Sequence, residues 1–356
     1  MKPLKYSAIM PKIALENLKL IKTEDMVGLI GKDLETIRCA LQESAYHDEI
    51  ATIPSDKLGT VAFEAALLQN YVKTLQALLQ FTSGPIRNLL LAILQKIEVS
   101  NVKTMLRAVK SKMDVNEATK HIIPVGTMDK ERYRAIIAGS KSIENAVNSL
   151  SNLEYGATLK EVWNECKENE DLLPLEVALD KAAYNAILNI IEELKGLDKK
   201  IAKSILGIEI DSVNAKIILK SKAKGLSKEQ TKEYLMPTAF LDEETLVEVM
   251  GTTDVKAALE RLFKAAENVN NPFYKDFFDQ ILKEREAPLS LLERRLDSFS
   301  LKMSAKMLNE YTRYYNIGFV LSFLNLKWFE IRNLRCIILG SERRTAINKV
   351  RELLVI

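Results

Sequence analysis

The feature that most restricts this chain is that it repeats itself at a shift of 113 residues. At that shift Tyr71 falls on Tyr184, Leu75 on Leu188, Asn101 on Asn214, Lys103 on Lys216, Leu106 on Leu219, Pro124 on Pro237, Asp129 on Asp242 and Glu131 on Glu244. No gap is needed from the first pair to the last. Local chemistry repeats as well: Asp114-x-x-Glu117 falls on Ser227-x-x-Gln230, so a capping box is expected at the same point of both copies. A third copy lies near the C-terminus. Glu330-Ile331-Arg332-Asn333-Leu334-Arg335 aligns with Glu98-Val99-Ser100-Asn101-Val102-Lys103 and with Asp211-Ser212-Val213-Asn214-Ala215-Lys216. Each reads acid-x-x-Asn-x-base and runs on into apolar residues. A fixed self-similarity of this kind means one supersecondary unit built several times.

Within the unit the period is helical. LLLAILQKI, ALDKAAYNAILNIIEEL, LERRLDSFSLKM and INKVRELL place apolar residues three and four apart, and clear two-residue alternation is scarce. Pro54, Gly84-Pro85, Pro124, Pro174, Pro237, Pro272 and Pro288 supply the stops. A second half-repeat lies between the first kind, ending at Tyr46, Tyr155 and Tyr274. Each example opens on a polar cap (Thr23, Asp129, Asp242) with acids in the first turn, and breaks near a glycine (Gly31, Gly139, Gly251). The expected fold is all-α, with three similar helical domains at 1–115, 116–228 and 229–356. The length of 356 residues is enough for each to bury a core.

The repeated triad has two readings. Positions three apart share a helix face, so acid and Asn can touch the same neighbour. The base, two residues beyond Asn, points about 200° away around the axis. The three groups are therefore not one catalytic cluster. In the structural reading, Glu98 and Asn101, Asp211 and Asn214, and Glu330 and Asn333 each bridge to an adjacent segment, because a buried carboxylate must be paired. Lys103, Lys216 and Arg335 then sit on a rim. In the functional reading the same nine residues form a polar binding ring. The structural reading is favoured, since an active site kept in three diverged copies is less economical than a scaffold motif.

Several function classes find no support. The net charge of +3 forms no stripe that would suit nucleic acid, and 47% hydrophobic with 28% charged residues is ordinary for a soluble globular chain. Segments such as Leu89 to Leu94 and Ile317 to Leu326 are shorter than the roughly 18 to 20 residues that span a bilayer, and the opening stretch lacks a signal-peptide core. Cys39, Cys166 and Cys336 fit a reducing cytoplasm rather than a disulfide framework. His47 and His121 belong to no metal or catalytic motif, so no metal, cofactor or catalytic residue is expected. GLIGKDLET (28–36) imitates a phosphate loop, but two residues separate Gly28 from Gly31 and Asp33 follows Lys32, so it is rejected. The acids of KENEDLLP (167–174) lack metal-loop spacing. Trp163, Trp328 and the trio Tyr311, Tyr314 and Tyr315 are read as core or interface residues.

With these residues in view, the sequence resembles the C-subunit family of archaeal and bacterial A/V-type rotary ATPases, relatives of the d subunit of the eukaryotic V-ATPase. IGFVLSFLNLKWFEIRNLRCIILG (317–340) and RELLV (351–355) carry the resemblance, and the threefold repeat extends it along the chain. The opening KYSAIMPKIALEN departs from the family, whose members usually begin with an Asn/Arg-bearing helix. Here Pro11 implies a kink or a later start. The resemblance implies a pseudo-threefold, funnel-like arrangement with no chemistry of its own. It also implies a peripheral place on the cytoplasmic side of the membrane, between the rotor stalk (the D and F subunits) and the membrane proteolipid (c/K) ring. A generic helical-repeat scaffold is the main rival, although such repeats are usually about 20 to 50 residues long.

Overall fold

The computed structural model describes residues 4–126, 128–168, 171–269, 271, 274, 279, 283, 287–311 and 316–356, with backbone alone at 4, 5 and 309–311. Among these residues the protein is all-α. The only ladder contact among them is an isolated antiparallel bridge between Val125 and Met128. In chain order the helices are α1 (Leu4–Ser7), α2 (Ile9–Leu18), α3 (Thr23–Gly28), α4 (Leu34–Gln42), α5 (His47–Ala51), α6 (Thr60–Leu79), α7 (Gly84–Ser111) and α8 (Val115–Lys120). They continue with α9 (Lys130–Gly139), α10 (Ile143–Ser149), α11 (Gly156–Cys166), α12 (Leu173–Glu193), α13 (Gly196–Ala202) and, after a π turn at Lys203–Gly207, α14 (Ile208–Ala223). The rest are α15 (Lys228–Tyr234), α16 (Glu243–Met250), α17 (Val255–Glu267), α18 (Leu289–Tyr311), α19 (Ile317–Glu342) and α20 (Ile347–Leu353).

Side-chain caps start many of these helices. Asp33, Asp129, Asp242 and Asp254 each accept from the backbone N–H three residues on. This satisfies donors that the first turn leaves open. The box at Ser227 and Gln230 closes in both directions. Its counterpart is only half a box: Asp114 accepts from Asn116 and Glu117, while the Glu117 carboxylate turns to Lys120. Thr23 does not cap. It is the first residue of α3, after an extended Lys22, and makes no cap bond. Pro11 is the third residue of α2, where its missing N–H has no intrahelical partner to lose. The helix assignment is interrupted before it, at Ala8, whose backbone keeps right-handed helical angles (φ −79°, ψ −36°) between α1 and α2.

The repeat is visible in how the long helices end. Lys112, Gly225 and Arg344 adopt left-handed backbone with φ of 52°, 70° and 52°. Each lies eleven residues beyond its Asn. In the first two copies the next N–H reaches back to Ala108 and Ser221 carbonyls, a Schellman closure. Glycine takes this conformation freely, whereas a side chain costs about 1 kcal/mol there. Lys112→Gly is therefore expected to raise unfolding stability by about 0.5–1 kcal/mol, and Gly225→Ala to lower it by a similar amount. Urea titration of the two variants checks both signs.

One detail corrects the gapless alignment. Gly84 and Gly196 start α7 and α13 with matching positive φ (57° and 58°), but they stand 112 apart, not 113. The missing residue reappears in the π turn at Lys203–Gly207, which α7 lacks. An extra residue inside a helix widens one turn, and a connection one residue shorter before Gly196 hides it from the alignment. Gly207 sits where that turn meets the next segment: a Cβ there would come within 2.9 Å of Phe240.

The chain divides into two compact units, one of Met1–Ile30, Leu188–Cys336 and Thr345–Ile356, the other of Gly31–Ile187 and Ile337–Arg344. The second unit is built around Val102, Leu106, Tyr133, Ala146, Leu159, Trp163 and Leu175, contributed by α7 and α9 to α12. In the first unit, Ile201, Ile208, Ile218, Leu246, Leu262 and Leu292 are among the residues withdrawn from water. Burial of a large aliphatic side chain contributes about 1.5–3 kcal/mol, so these interiors dominate stability.

Candidate functional site

The three asparagines do the same thing in each copy. Asn101 donates Nδ2–H to the Ile123 carbonyl at 2.5 Å and accepts the Ile123 N–H at 3.0 Å. Asn214 donates to the Met236 carbonyl at 3.1 Å and accepts its N–H at 2.7 Å. Asn333 donates to the Val355 carbonyl at 2.7 Å and accepts its N–H at 2.9 Å. The partner always lies 22 residues downstream. An amide matches the donor–acceptor pair of one peptide unit, so a helix side chain grips an extended segment as a strand would. All three asparagines are buried, which removes competition from water.

The acids lie beside these grips. The Asp211 carboxylate is 0% exposed and accepts four bonds: Ala239 N–H at 3.2 Å, Phe240 N–H at 2.9 Å, Leu241 N–H at 3.2 Å and Tyr274 O–H at 2.8 Å. Glu98 accepts the Tyr155 hydroxyl at 2.9 Å. Glu330 accepts the Ile21 N–H at 2.5 Å and is paired with buried Lys327 at 3.1 Å. Ile21 lies two residues before Thr23, as Phe240 lies two before Asp242. In the third copy the chain's own opening segment thus supplies the backbone that a downstream loop supplies in the second.

Electrostatics follow burial. Desolvation pushes the Asp211 carboxyl up to about 6, against the downward pull of Tyr274 and the three backbone donors. The Tyr155 and Tyr274 phenols are pushed well up, first by burial and then by the neighbouring Glu98 and Asp211 charges. Both tyrosines therefore keep their protons as donors.

Two of the bases pair with acids on neighbouring helices, away from the acid–Asn clasps. Lys103 binds Asp180 of α12 at 2.6 Å, and Lys216 binds Asp297 of α18 at 2.5 Å. Asp297 also takes Arg332 at 2.5 Å, so it links α14, α18 and α19. Arg335 is half-buried on α19. Six of the nine residues thus form three separate acid–amide clasps, and Lys103 and Lys216 make ion pairs on other faces. The partners that sequence reasoning missed are Ile123, Met236 and Val355, Tyr155 and Tyr274 as donors to the acids, and Ile21. The conspicuous Tyr155 and Tyr274 were the signal available for the second group.

The remaining motifs resolve simply. Asp33 of GLIGKDLET caps α4 after a left-handed Gly31. Asp171 of KENEDLLP accepts the Leu173 N–H at 3.0 Å, while residues 169 and 170 lie outside the described set. Trp163 is buried and Trp328 is 39% exposed. Pro272, Tyr314, Tyr315 and the Tyr311 side chain lie outside the described residues. His47 Nδ1 lies 2.6 Å from the Gln42 carbonyl. Among the described residues no group of three or more His, Cys, Asp or Glu could hold a metal ion, and no helix is long and apolar enough to cross a membrane.

The stretches that carry these clasps match known proteins. The model of the ATP synthase (C/AC39) subunit family matches residues 13–353. The chain belongs to that family. It is 25% identical over 355 residues to the C subunit of the A-type ATP synthase of Methanocaldococcus jannaschii, covering 98% of this chain and 86% of the relative. It is 26% identical over 336 residues to the protein of that name from Haloferax volcanii, covering 94% and 92%. For the Halorubrum lacusprofundi protein, which bears the same name, the figures are 27% over 324 residues, covering 89% and 87%.

In this C/AC39 chain the last clasp joins the two segments that carried the sequence resemblance, because Val355 closes RELLV. Asn333→Ala would leave the Val355 N–H and C=O without partners in a buried place. It is expected to cost about 1–3 kcal/mol. Denaturant unfolding checks this, and an unchanged midpoint together with lost partner binding would make Asn333 an interface residue instead.

Proposed function

We propose that this chain is a non-catalytic central-stalk subunit of an A/V-type rotary ATPase. It receives the foot of the rotor stalk, formed by the D and F subunits, and rests on the cytoplasmic face of the membrane proteolipid (c/K) ring. The observation that carries the reading is the family match over residues 13–353, with relatives named as C subunits of A-type ATP synthases over nearly their whole length. The repeat supports it: three similar helical domains, framed at 1–115, 116–228 and 229–356, offer equivalent surfaces to partners arranged about an axis. The clasps are the parts that keep such units stiff. Each locks a long helix to a distant segment through buried bonds that rotate neither with solvent nor with salt. Stiffness is what the role demands, since each charge moving through 100 mV releases about 2.3 kcal/mol, and that energy must pass as torque without slip. Interfaces above about 2,000 Å² are expected for the same reason.

Reconstitution tests this. The chain is mixed with D/F stalk and with detergent-solubilised ring, and a ternary complex is sought by size exclusion. ATP-driven ion pumping is expected to fail in an enzyme lacking the chain, and calorimetry of the chain alone is expected to show no micromolar ATP binding. Pumping at full rate without the chain, or binding to neither partner, overturns the reading.

A further inference from the structure

Helix α2 carries an apolar ridge that stands exposed among the described residues. Leu18 is 81% exposed and Leu15 58% exposed, and Ala8, Pro11 and Ala14 beside them are exposed as well. Ala8, Pro11, Leu15 and Leu18 follow the alternating three and four spacing of a coiled-coil seam. At 100° per residue the last three lie within about 60° of one another. The residues that follow two of these positions, Lys12 and Lys19, fall on one flank of the seam. Glu16 lies between them at 3.2 and 3.0 Å, so one carboxylate answers two ammonium groups and that flank keeps a positive surplus. Exposed Lys22 follows, and the opposite flank is uncharged Ala14.

The helix is not a loose end. Ile9, Met10 and Ile13 bury its other face, and the Ile21 N–H just beyond it is held by Glu330. A fixed helix with a bare heptad seam and a basic flank lacks what a coiled coil would provide: a second helix with an apolar seam and acidic side chains at the flanking positions. A lipid surface suits it less well. Lipid-binding helices add aromatic anchors and a row of unpaired basic residues, whereas here no aromatic lies on the ridge and two of the three lysines share an acid.

We propose that α2 is a docking seam for one partner helix with an apolar a/d ridge and acidic flanks. The probe is a synthetic three-heptad peptide with Leu at a and d and Glu at e and g, whose like charges keep it from pairing with itself. A second peptide carries Lys in place of Glu, and phosphatidylserine-containing vesicles form a third arm. The full chain is expected to bind the acidic peptide, with a gain of helical circular dichroism, and to bind the basic peptide at least about tenfold more weakly. The Leu15→Ser/Leu18→Ser variant is expected to lose at least about tenfold in affinity with an unchanged melting curve, because both side chains are exposed. Lys12→Glu/Lys19→Glu is expected to exchange the preference toward the basic peptide. Equal binding of both peptides, no binding below about 1 mM, binding that survives the serine variant, or leucine-dependent vesicle binding without peptide binding would each overturn the proposal.

Discussion

Asp211→Ala is expected to be among the most damaging single substitutions in the chain, costing about 4 kcal/mol or more. The carboxylate is fully buried and ends four hydrogen bonds, three of them from the consecutive backbone groups of residues 239–241. Each buried donor left without a partner costs about 1–3 kcal/mol. Water can reach half-buried Ala239 and Phe240, but not Leu241 or Tyr274. Losing the acceptor also frees the loop that packs on Gly207. The measurement is urea unfolding, with fluorescence and far-UV dichroism as separate probes.

The same residue gives a pH signature of defined sign. Burial raises the folded carboxyl to about 6, above its ordinary value of 3.8. The folded state therefore binds a proton more readily than the unfolded state. Asp211's contribution to stability is fully present below about pH 4 and is lost as pH rises through about 6, a change of roughly 3 kcal/mol. Asp211→Asn removes the titration. The stability of wild type relative to Asp211→Asn is expected to fall between about pH 4 and about pH 7. A rise over that range would mean that the four donors outweigh burial and hold the carboxylate ionised from low pH. The comparison is made against the asparagine variant because surface carboxylates such as Asp33 and Asp242 are held below the ordinary value by backbone donors. Those contribute in the opposite direction in both proteins and cancel.

The all-α class and the recurrence of one acid–Asn motif were legible because both rest on side-chain identity: helical spacing for the class, and Asn101, Asn214 and Asn333 for the motif. What those asparagines hold was not legible. Ile123, Met236 and Val355 are recognised through their backbone, which any residue provides, so their only mark in the sequence is being apolar. The π turn was hidden for a different reason. Its extra residue is offset by a shorter connection before Gly196, and only the 112-residue spacing of Gly84 and Gly196 betrays it. The cap assigned to Thr23 failed because a threonine can enter a helix as its first residue when Lys22 already provides the extended entry. Rim exposure of Lys103 and Lys216 was inferred from angle alone, and the acids that meet them, Asp180 and Asp297, lie on helices 77 and 81 residues away in sequence.

Gly126→Ala is expected to cost about 2–5 kcal/mol, and Glu98→Asp to relieve part of that cost. Two effects add at Gly126. Its φ of +69° is left-handed, which costs a side chain about 1–2 kcal/mol. A Cβ there would also lie 2.2 Å from Glu98 Oε2, an overlap that forces the acid or the loop to move, at about 1–3 kcal/mol. The second copy shows how the overlap is avoided. Ala239 stands where the first copy has Gly126, and the facing acid is Asp211, one methylene shorter than Glu98. Ala239 is also free of positive φ. The acid's length and the loop's Cβ thus trade against each other across 28 residues. In a double-mutant cycle, Glu98→Asp alone is expected to destabilise by about 1–2 kcal/mol, because its carboxylate retreats from the Tyr155 hydroxyl. Combined with Gly126→Ala it is expected to cost less than the sum, with a coupling of about 1–2 kcal/mol. The backbone strain is not recovered, so the double variant stays below wild type. Additivity within about 0.5 kcal/mol would mean that the loop yields without involving the acid, and that the two copies differ by drift rather than by complementary packing.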